Sequence, residues 1–399
     1  MTATVRDESS WRDAVHELAA FQRPSASDGE RRAAEWIASR LRELGCEATV
    51  ERERAHGGYW WPIGVANLLA VAGALVARRR RILGVAAATT AAAALWDDLG
   101  HGRRWFRRAT LPHRDTWNVV AETGDRGAKR TVVLVAHHDA AHSGLVFHPG
   151  FGQIAPRVTP GAHERASHTF PILFAVWLGP VAIALAALTG SRRLANAGSA
   201  LALGATGAMA DIGMRAVVPG ANDNLSAVGA LVALAAAFQE RPVEGVRVLL
   251  VSTGSEESFS EGMQAFGEHH FAELDPRQTE FLCLECLGGQ TLIVLEGEGM
   301  LRMRDYTSGT REALADAAAR AGVGIRRGIQ TVAATDAIIA LRAGYPTATL
   351  AAVEPTKLPL NYHWPNDTPE NLHWGTIEDA IAVSEEFVRG ATARPLTRG

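Results

Sequence analysis

Cysteine is scarce in this chain: Cys46, Cys283 and Cys286 are the only three in 399 residues. Three unevenly placed thiols cannot build a disulfide framework. The C-x-x-C formed by Cys283 and Cys286 lies in an apolar run with no second pair, so both read as core thiols. Net charge is equally sparse. A formal −3 and a pI near 6.5 imply no polyanionic partner and no nucleic acid. Residues 1–8 lack the apolar core of a signal peptide. Charge is missing altogether from two long stretches, and these say most about organisation.

From Ala55 to Ala77 there is no Asp, Glu, Lys or Arg; Arg78–Arg81 and the uncharged run Ile82–Trp96 follow. From Ala166 to Ser191 charge is again absent; Arg192-Arg193 and Leu194–Ala210 follow. Each segment reads as a hydrophobic helical hairpin with a basic tip. A membrane span needs roughly 20 apolar residues, so the first arms are long enough and the second arms are short. Trp60, Trp61 and Trp96 stand where an aromatic belt would. The lipid bilayer is therefore an expected partner, and a membrane the expected location. The competing reading is a large insertion of buried Ala/Gly-rich helices.

Elsewhere strands alternate with helices. Residues 7–21 and 27–45 have amphipathic spacing, the second opening at the N-cap pair Ser27-Asp28 and closing at Gly45. Strands are expected at Glu47–Glu51, Trp117–Ala121, Thr131–Ala136, Val246–Ser252, Phe281–Leu284, Leu292–Glu296 and Thr347–Ala351. Helices are expected at Ser226–Gln239, 309–321, 335–342 and 376–389. That rhythm implies an α/β fold with a mixed, largely parallel sheet.

Five short segments carry the chemistry. In His137-x-Asp139 the alternation of a strand puts both side chains on one face, so His137 is placed to ligate and Asp139 to accept its ring N–H. His138 points the other way. Asp223, in Gly220-Ala221-Asn222-Asp223-Asn224, suits a carboxylate shared by two cations; the bland reading is a helix N-cap. Glu256 and Glu257 follow a buried strand, and adjacent acids in such a setting need a cation nearby. Glu257 is placed to ligate and Glu256 to take a proton from water. Glu285 interrupts an apolar run, which is costly unless it is paired. His363 lies in an aromatic, Pro-rich loop, where a plain surface histidine is the alternative. Two His and three carboxylates make a good zinc ligand set, with one carboxylate left as a base.

These motifs, in this order, resemble metallopeptidase family 28, the co-catalytic di-zinc exopeptidases that include aminopeptidases, glutamate carboxypeptidase relatives and glutaminyl cyclases. The resemblance covers about residues 7–54, 116–140 and 218–392. It extends to the leading helices around Arg23-Pro24-Ser25 and Leu41-Arg42-Glu43-Leu44-Gly45. It implies a three-layer α/β/α sandwich formed by one domain over residues 1–399, interrupted by insertions at 55–114 and 141–217. It implies two Zn2+ ions, one held by His137, Asp223 and Glu285, the other by Asp223, Glu257 and His363. Glu256 would be the general base, Asp139 would orient His137, and the substrate would be a peptide cut at its end.

Three departures stand out. Glu285 occupies a position where the family usually has Asp, one methylene shorter. A hydrophobic insertion separates His137 from Asp223 and begins and ends at the rim of the expected cleft. The segment Thr335-Asp336-Ala337 replaces a Ser-Asp-His-like stretch near the specificity pocket. Two other functions fit parts of the pattern: a single-zinc glutaminyl cyclase, and an inactive membrane adaptor that retained the fold. Topology is contested within the sequence. The all-Arg tip places itself in the cytoplasm, whereas the basic flank Arg103, Arg104, Arg107, Arg108 and Arg114 places the enzyme there. Composition is silent on oligomeric state.

Overall fold

A computed structural model describes residues 8–168 and 173–394. The apolar run 166–191 is thus described except for residues 169–172, and the N-terminal stretch read for a leader falls outside apart from Glu8.

The helices are α1 (Glu8–Ala19), α2 (Asp28–Glu43), α3 (Trp60–Ala77), α4 (Arg81–Leu99), α5 (Trp105–Thr110), α6 (Phe174–Thr189), α7 (Arg192–Met214), α8 (Ser226–Glu240), α9 (Glu261–His270), α10 (Ser308–Ala321), α11 (Ala337–Arg342) and α12 (Trp374–Arg389). The strands are β1 (Glu47–Ala55), β2 (Arg114–Gly124), β3 (Arg130–His137), β4 (Val246–Thr253), β5 (Thr279–Glu285), β6 (Thr291–Glu298), β7 (Arg304–Asp305), β8 (Arg326–Thr331) and β9 (Thr347–Val353). They form one sheet in the order β1-β2-β4-β3-β5-β9-β6-β7, with β8 beside β6. The central strands β4, β3, β5 and β9 are parallel, and antiparallel pairs flank them.

Side-chain alternation sorts the core into layers. Val132, Leu134 and Ala136 of β3 join the core under α1, α2, α8, α10 and α12, while Val133 and Val135 join the one under α9 and α11. The three-layer α/β/α expectation therefore holds. Every strand read from the sequence is present, and each is longer than read. The edge strands β7 and β8 were not expected, because Arg-Arg-Gly-Ile-Gln-Thr carries no apolar alternation. The stretch Ala221–Glu240, which ends in α8, is long and apolar enough for a membrane span, yet it is almost wholly buried inside the protein. An all-round apolar helix belongs in a core when one is there to receive it.

The two hydrophobic hairpins meet as one four-helix bundle of α3, α4, α6 and α7. Ile63, Ala66, Ala70, Ala88, Ile183 and Ala202 form its interior. A Cβ at Gly84 would lie 2.6 Å from the carbonyl oxygen of Gly73, so α3 and α4 pack backbone to backbone. Leucines face outward instead, among them Leu68, Leu75, Leu185, Leu188, Leu201 and Leu203. Arg81 of the first tip donates through Nε to the Ala187 carbonyl at the end of α6 (2.8 Å). The basic tips Arg78–Arg81 and Arg192-Arg193 thus share one end of the bundle.

Four sequence readings are corrected here. Ser167 and His168 pair with Gln330 of β8 rather than entering the bundle, so that arm is shorter than its uncharged run. α7, at 23 residues, is longer than the run read for it. Trp60 packs on His142 (ring centroids 4.5 Å apart), leaving Trp61 and Trp96 as the outward pair. Arg104 and Arg107 of the supposed outer flank are buried and paired inside the protein, so they offer no exposed topogenic charge.

Candidate metal centre

All the candidate side chains stand at the carboxyl ends of the parallel strands, where open α/β sheets bind ligands. His137 ends β3, Glu256 and Glu257 follow β4, and Glu285 ends β5. The surface recess lined by Lys129, Arg130, Gly245 and Gln278 lies at the opposite end of the same strands.

Asp223 is the hub. Its Oδ1 lies 3.2 Å from His137 Nε2, and its Oδ2 lies 3.2 Å from His363 Nε2. Glu285 Oε1 is 3.5 Å from His137 Nε2, and Glu257 Oε2 is 3.1 Å from His363 Nε2. Two three-residue groups result, sharing only Asp223. Grouping by mutual closeness alone cuts the set differently, joining His137, Asp223 and Glu257, and separately Asp223, Glu285 and Cys286. The division by imidazole is chemically preferable. Burial pushes the Cys286 thiol well above its usual pKa, and Sγ donates to Glu285 Oε1 (3.3 Å), so it acts as a neutral neighbour.

The donor set fits zinc. His137 Nε2, Asp223 Oδ2 and Glu257 Oε1 are buried without a hydrogen-bond partner among the described residues. Converging lone pairs left unsatisfied in a buried site are what a cation would satisfy. The longer Glu285 still reaches His137.

Electrostatics shows the same crowding. Burial raises Glu257 to about 7, with His363 opposing and Asp223 adding to the rise. Burial would lower His363, but Glu257 and Asp223 outweigh it and bring it to about 10. Burial would raise Asp223 too, yet the two histidines facing it at 3.2 Å hold it below the usual carboxylate range. Glu256 is raised well above its ordinary value, first by burial, against the pull of His137 and with the push of Asp336, Glu257 and Glu285. Its carboxylate stands 3.9 Å from His137 Nε2, beside both groups.

The backbone holds these side chains in place. Asp139 Oδ1 and Oδ2 accept the N–H groups of Glu256 (3.0 Å) and Glu257 (3.1 Å), and Ser25 Oγ donates to Oδ2 (2.6 Å). Asp139 also faces His137 Nδ1 at 3.4 Å. His138, as expected, turns away, its Nδ1 against Ser252 Oγ (2.9 Å). The Asp223 turn begins at Gly220 (φ +63°), where a Cβ would meet the Asp223 carbonyl oxygen at 2.7 Å. Asn224 Oδ1 accepts from Cys286 N (2.9 Å) and Asn222 Oδ1 from Gly288 N (2.8 Å), stitching this turn to the end of β5.

Several supporting residues escaped the sequence reading. Asp367 accepts the backbone N–H of Asn222 (2.6 Å) and of Asp223 (3.1 Å). Buried Arg23 donates to the carbonyls of His138 (2.8 Å), Pro219 (2.6 Å) and Gly220 (2.8 Å). Glu30 accepts from Ala26 N, Trp117 N and Ser255 N. Asp336, hydrogen-bonded by Thr253, leaves Oδ1 without a partner among the described residues. Of these four, only Arg23 and Asp336 stand in stretches quoted above. The insertion reaches this rim: Phe147 lies edge-on to His363, with ring centroids 4.5 Å apart.

An α/β/α sandwich with its polar centre at the carboxyl ends of a parallel sheet is the zinc exopeptidase type of fold. Residues 207–388 match the model of peptidase family M28. That segment holds Asp223, Glu256, Glu257, Glu285 and His363, and it bears out the resemblance to metallopeptidase family 28. No curated protein matches the chain. Among solved structures, an aminopeptidase from Aneurinibacillus sp. strain AM-1 is similar with a TM-score of 0.57 and 13% identity, over 97% of this chain and 95% of that one. A zinc aminopeptidase from Bacillus subtilis has a TM-score of 0.55 and 13% identity, over 96% and 95%. A glutaminyl cyclase from Bacteroides thetaiotaomicron has a TM-score of 0.55 and 14% identity, over 96% and 97%.

Proposed function

We propose that this protein is a membrane-anchored zinc exopeptidase, most simply an aminopeptidase, that hydrolyses terminal peptide bonds. The observation that carries the reading is Asp223 facing His137 with one oxygen and His363 with the other. His137, Asp223 and Glu285 would hold one ion, and Asp223, Glu257 and His363 the second. Zinc bound there would supply Lewis acidity, lowering the pKa of water and polarising a carbonyl.

The chain's own residues do the rest. Glu256 accepts the proton of the attacking water and passes it to the leaving amine. A raised pKa suits a group that must both take and give a proton near neutral pH. Asp139 fixes His137 on one side and the Glu256 backbone on the other. Asp336 Oδ1, buried and without a hydrogen-bond partner among the described residues, offers an acceptor for the free amino end of a peptide. The bundle, apolar outside and basic at its tip, is the anchor.

The second reading is single-zinc cyclisation, since glutaminyl cyclases are among the solved structures similar to this chain. Two complete ligand groups and a neighbouring base favour hydrolysis at two ions.

The test is hydrolysis of short peptides, free or blocked at each end, by zinc-loaded detergent-purified protein beside Glu256→Gln. Cleavage that needs a free amino end and falls by roughly two orders of magnitude or more in the variant supports the reading. Zinc binding without cleavage of any peptide would sink it.

A further inference from the structure

The loop that follows Glu256 and Glu257 is held from the bundle side. Ser260 N donates to the Glu256 carbonyl (2.7 Å) and Glu261 N to the Ser255 carbonyl (2.9 Å), closing a tight turn over residues 255–261. Ser255, Phe259 and Ser260 take left-handed backbone angles (φ +50°, +68° and +57°). Non-glycine residues stay in that region only when their surroundings enforce it.

The enforcement comes from the first hydrophobic insertion. Arg107 of α5 donates through Nη1 to the Ser258 carbonyl (2.6 Å), and Arg104 Nη2 donates to the Phe259 carbonyl. The other nitrogen of the Arg107 fork, Nη2, bonds Asp98 Oδ2 at the foot of α4 (2.9 Å). Glu261 completes the lattice. It faces Arg107 at 3.3 Å and Arg104 at 3.8 Å, and it accepts from the backbone N–H groups of His56 (3.0 Å) and Gly57 (2.9 Å), which lead into α3. Phe259 stacks on Tyr59 at the head of α3, with ring centroids 4.9 Å apart. Arg107 is wholly buried, and Asp98, Arg104 and Glu261 nearly so.

Stability alone does not call for such a lattice, because well-packed apolar residues commonly do as well as a buried ion pair. A guanidinium fork instead fixes direction, since its donors are coplanar and cannot swing independently. We propose that Arg107 is a positioning residue: it ties the turn that aims Glu256 and Glu257 to the seating of α3 and α4. Burial of the bundle in its apolar medium and alignment of the base thereby become one structural state. The inference rests on Glu256 acting as the base.

Arg107→Lys keeps the charge but loses the fork, so the rigid, coplanar pair of donors that now holds Asp98 and the Ser258 carbonyl is gone. Full-length protein in detergent is measured with the best-cleaved peptide. The expected result is a fall in kcat of about tenfold to a hundredfold with KM, zinc content and unfolding temperature near wild type, since small misplacement of a catalytic group costs this much. Asp98→Glu placed in that background brings the acid one methylene closer and restores part of kcat. Wild-type kcat in folded Arg107→Lys protein overturns the proposal. Loss of activity that only tracks the folded fraction, without rescue, also overturns it. If that variant does not fold, Arg104→Lys probes the same turn through the Phe259 carbonyl, with the same expected and overturning results. A wild-type protein that cleaves no peptide removes the underlying reading instead, and is told apart because the failure precedes any substitution.

Discussion

The carboxylate of Asp139 accepts the backbone N–H of Glu256 at 3.0 Å, so a residue of the first motif sets the position of the proposed base in the third. It does this while facing His137, which makes it a joint between the proposed ligand and the proposed base.

Asp139→Asn should therefore damage more than one function. An amide keeps one acceptor and cannot serve Glu256 N, Glu257 N and Ser25 together. Loss of a partner of this kind costs about 10–100-fold in activity or metal affinity. Steady-state kinetics with zinc content measured on the same samples checks it; unchanged values in both would dismiss the joint.

Metal stoichiometry separates the two ligand groups. Protein stripped with chelator and reloaded should bind two zinc ions per chain. His363→Ala should bind one, because His137, Asp223 and Glu285 remain together. Equilibrium dialysis with elemental analysis reads the ratio, and a wild-type value of one would instead favour the cyclase chemistry.

The lattice around Glu261 predicts acid sensitivity. Burial would raise this carboxyl, but Arg107, the His56 hydrogen bond and Arg104 outweigh it and hold it below the usual range. A carboxylate depressed in the folded state stabilises fully above its unfolded pKa of about 4.3, and that contribution fades as pH falls below this value. Glu261→Gln should cost about 3–5 kcal/mol at pH 7, as breaking a buried pair does. It should also flatten the loss of stability below pH ~4.3 in denaturant titrations.

The bundle predicts a lipid preference. Six arginines, Arg78–Arg81 with Arg192 and Arg193, share the end where Arg81 caps α6. Reconstitution should be more efficient into vesicles with anionic phospholipid than into zwitterionic ones, at about 1 kcal/mol per basic residue near the surface. Changing Arg78–Arg80 to Glu should abolish the difference. Recovery of the full chain in the soluble fraction without detergent would contradict the anchor itself.

Much of this protein is written locally. The β-branched run Thr131–Ala136, the N-cap at Ser27 and the uncharged arms with arginine tips each report on neighbours in sequence, because strand alternation, capping and hydropathy act over a few residues. The candidate ligands were legible for the same reason: each is a charge at the end of an apolar run. What binds Arg107 to Glu261 is not local, nor what brings Asp367 beneath Asn222, 145 positions away. Buried Arg104 and Arg107 looked like solvent-facing flank charge, because composition does not reveal what will cover a residue. The sequence determined most of the elements, the order of the motifs and the likeness to family M28. Only tertiary structure decided that Asp223 stands between two histidines, that two hairpins share one bundle, and that this bundle is bonded to the turn carrying Glu256. Those facts follow from packing and charge pairing between distant segments, which no short window of residues contains.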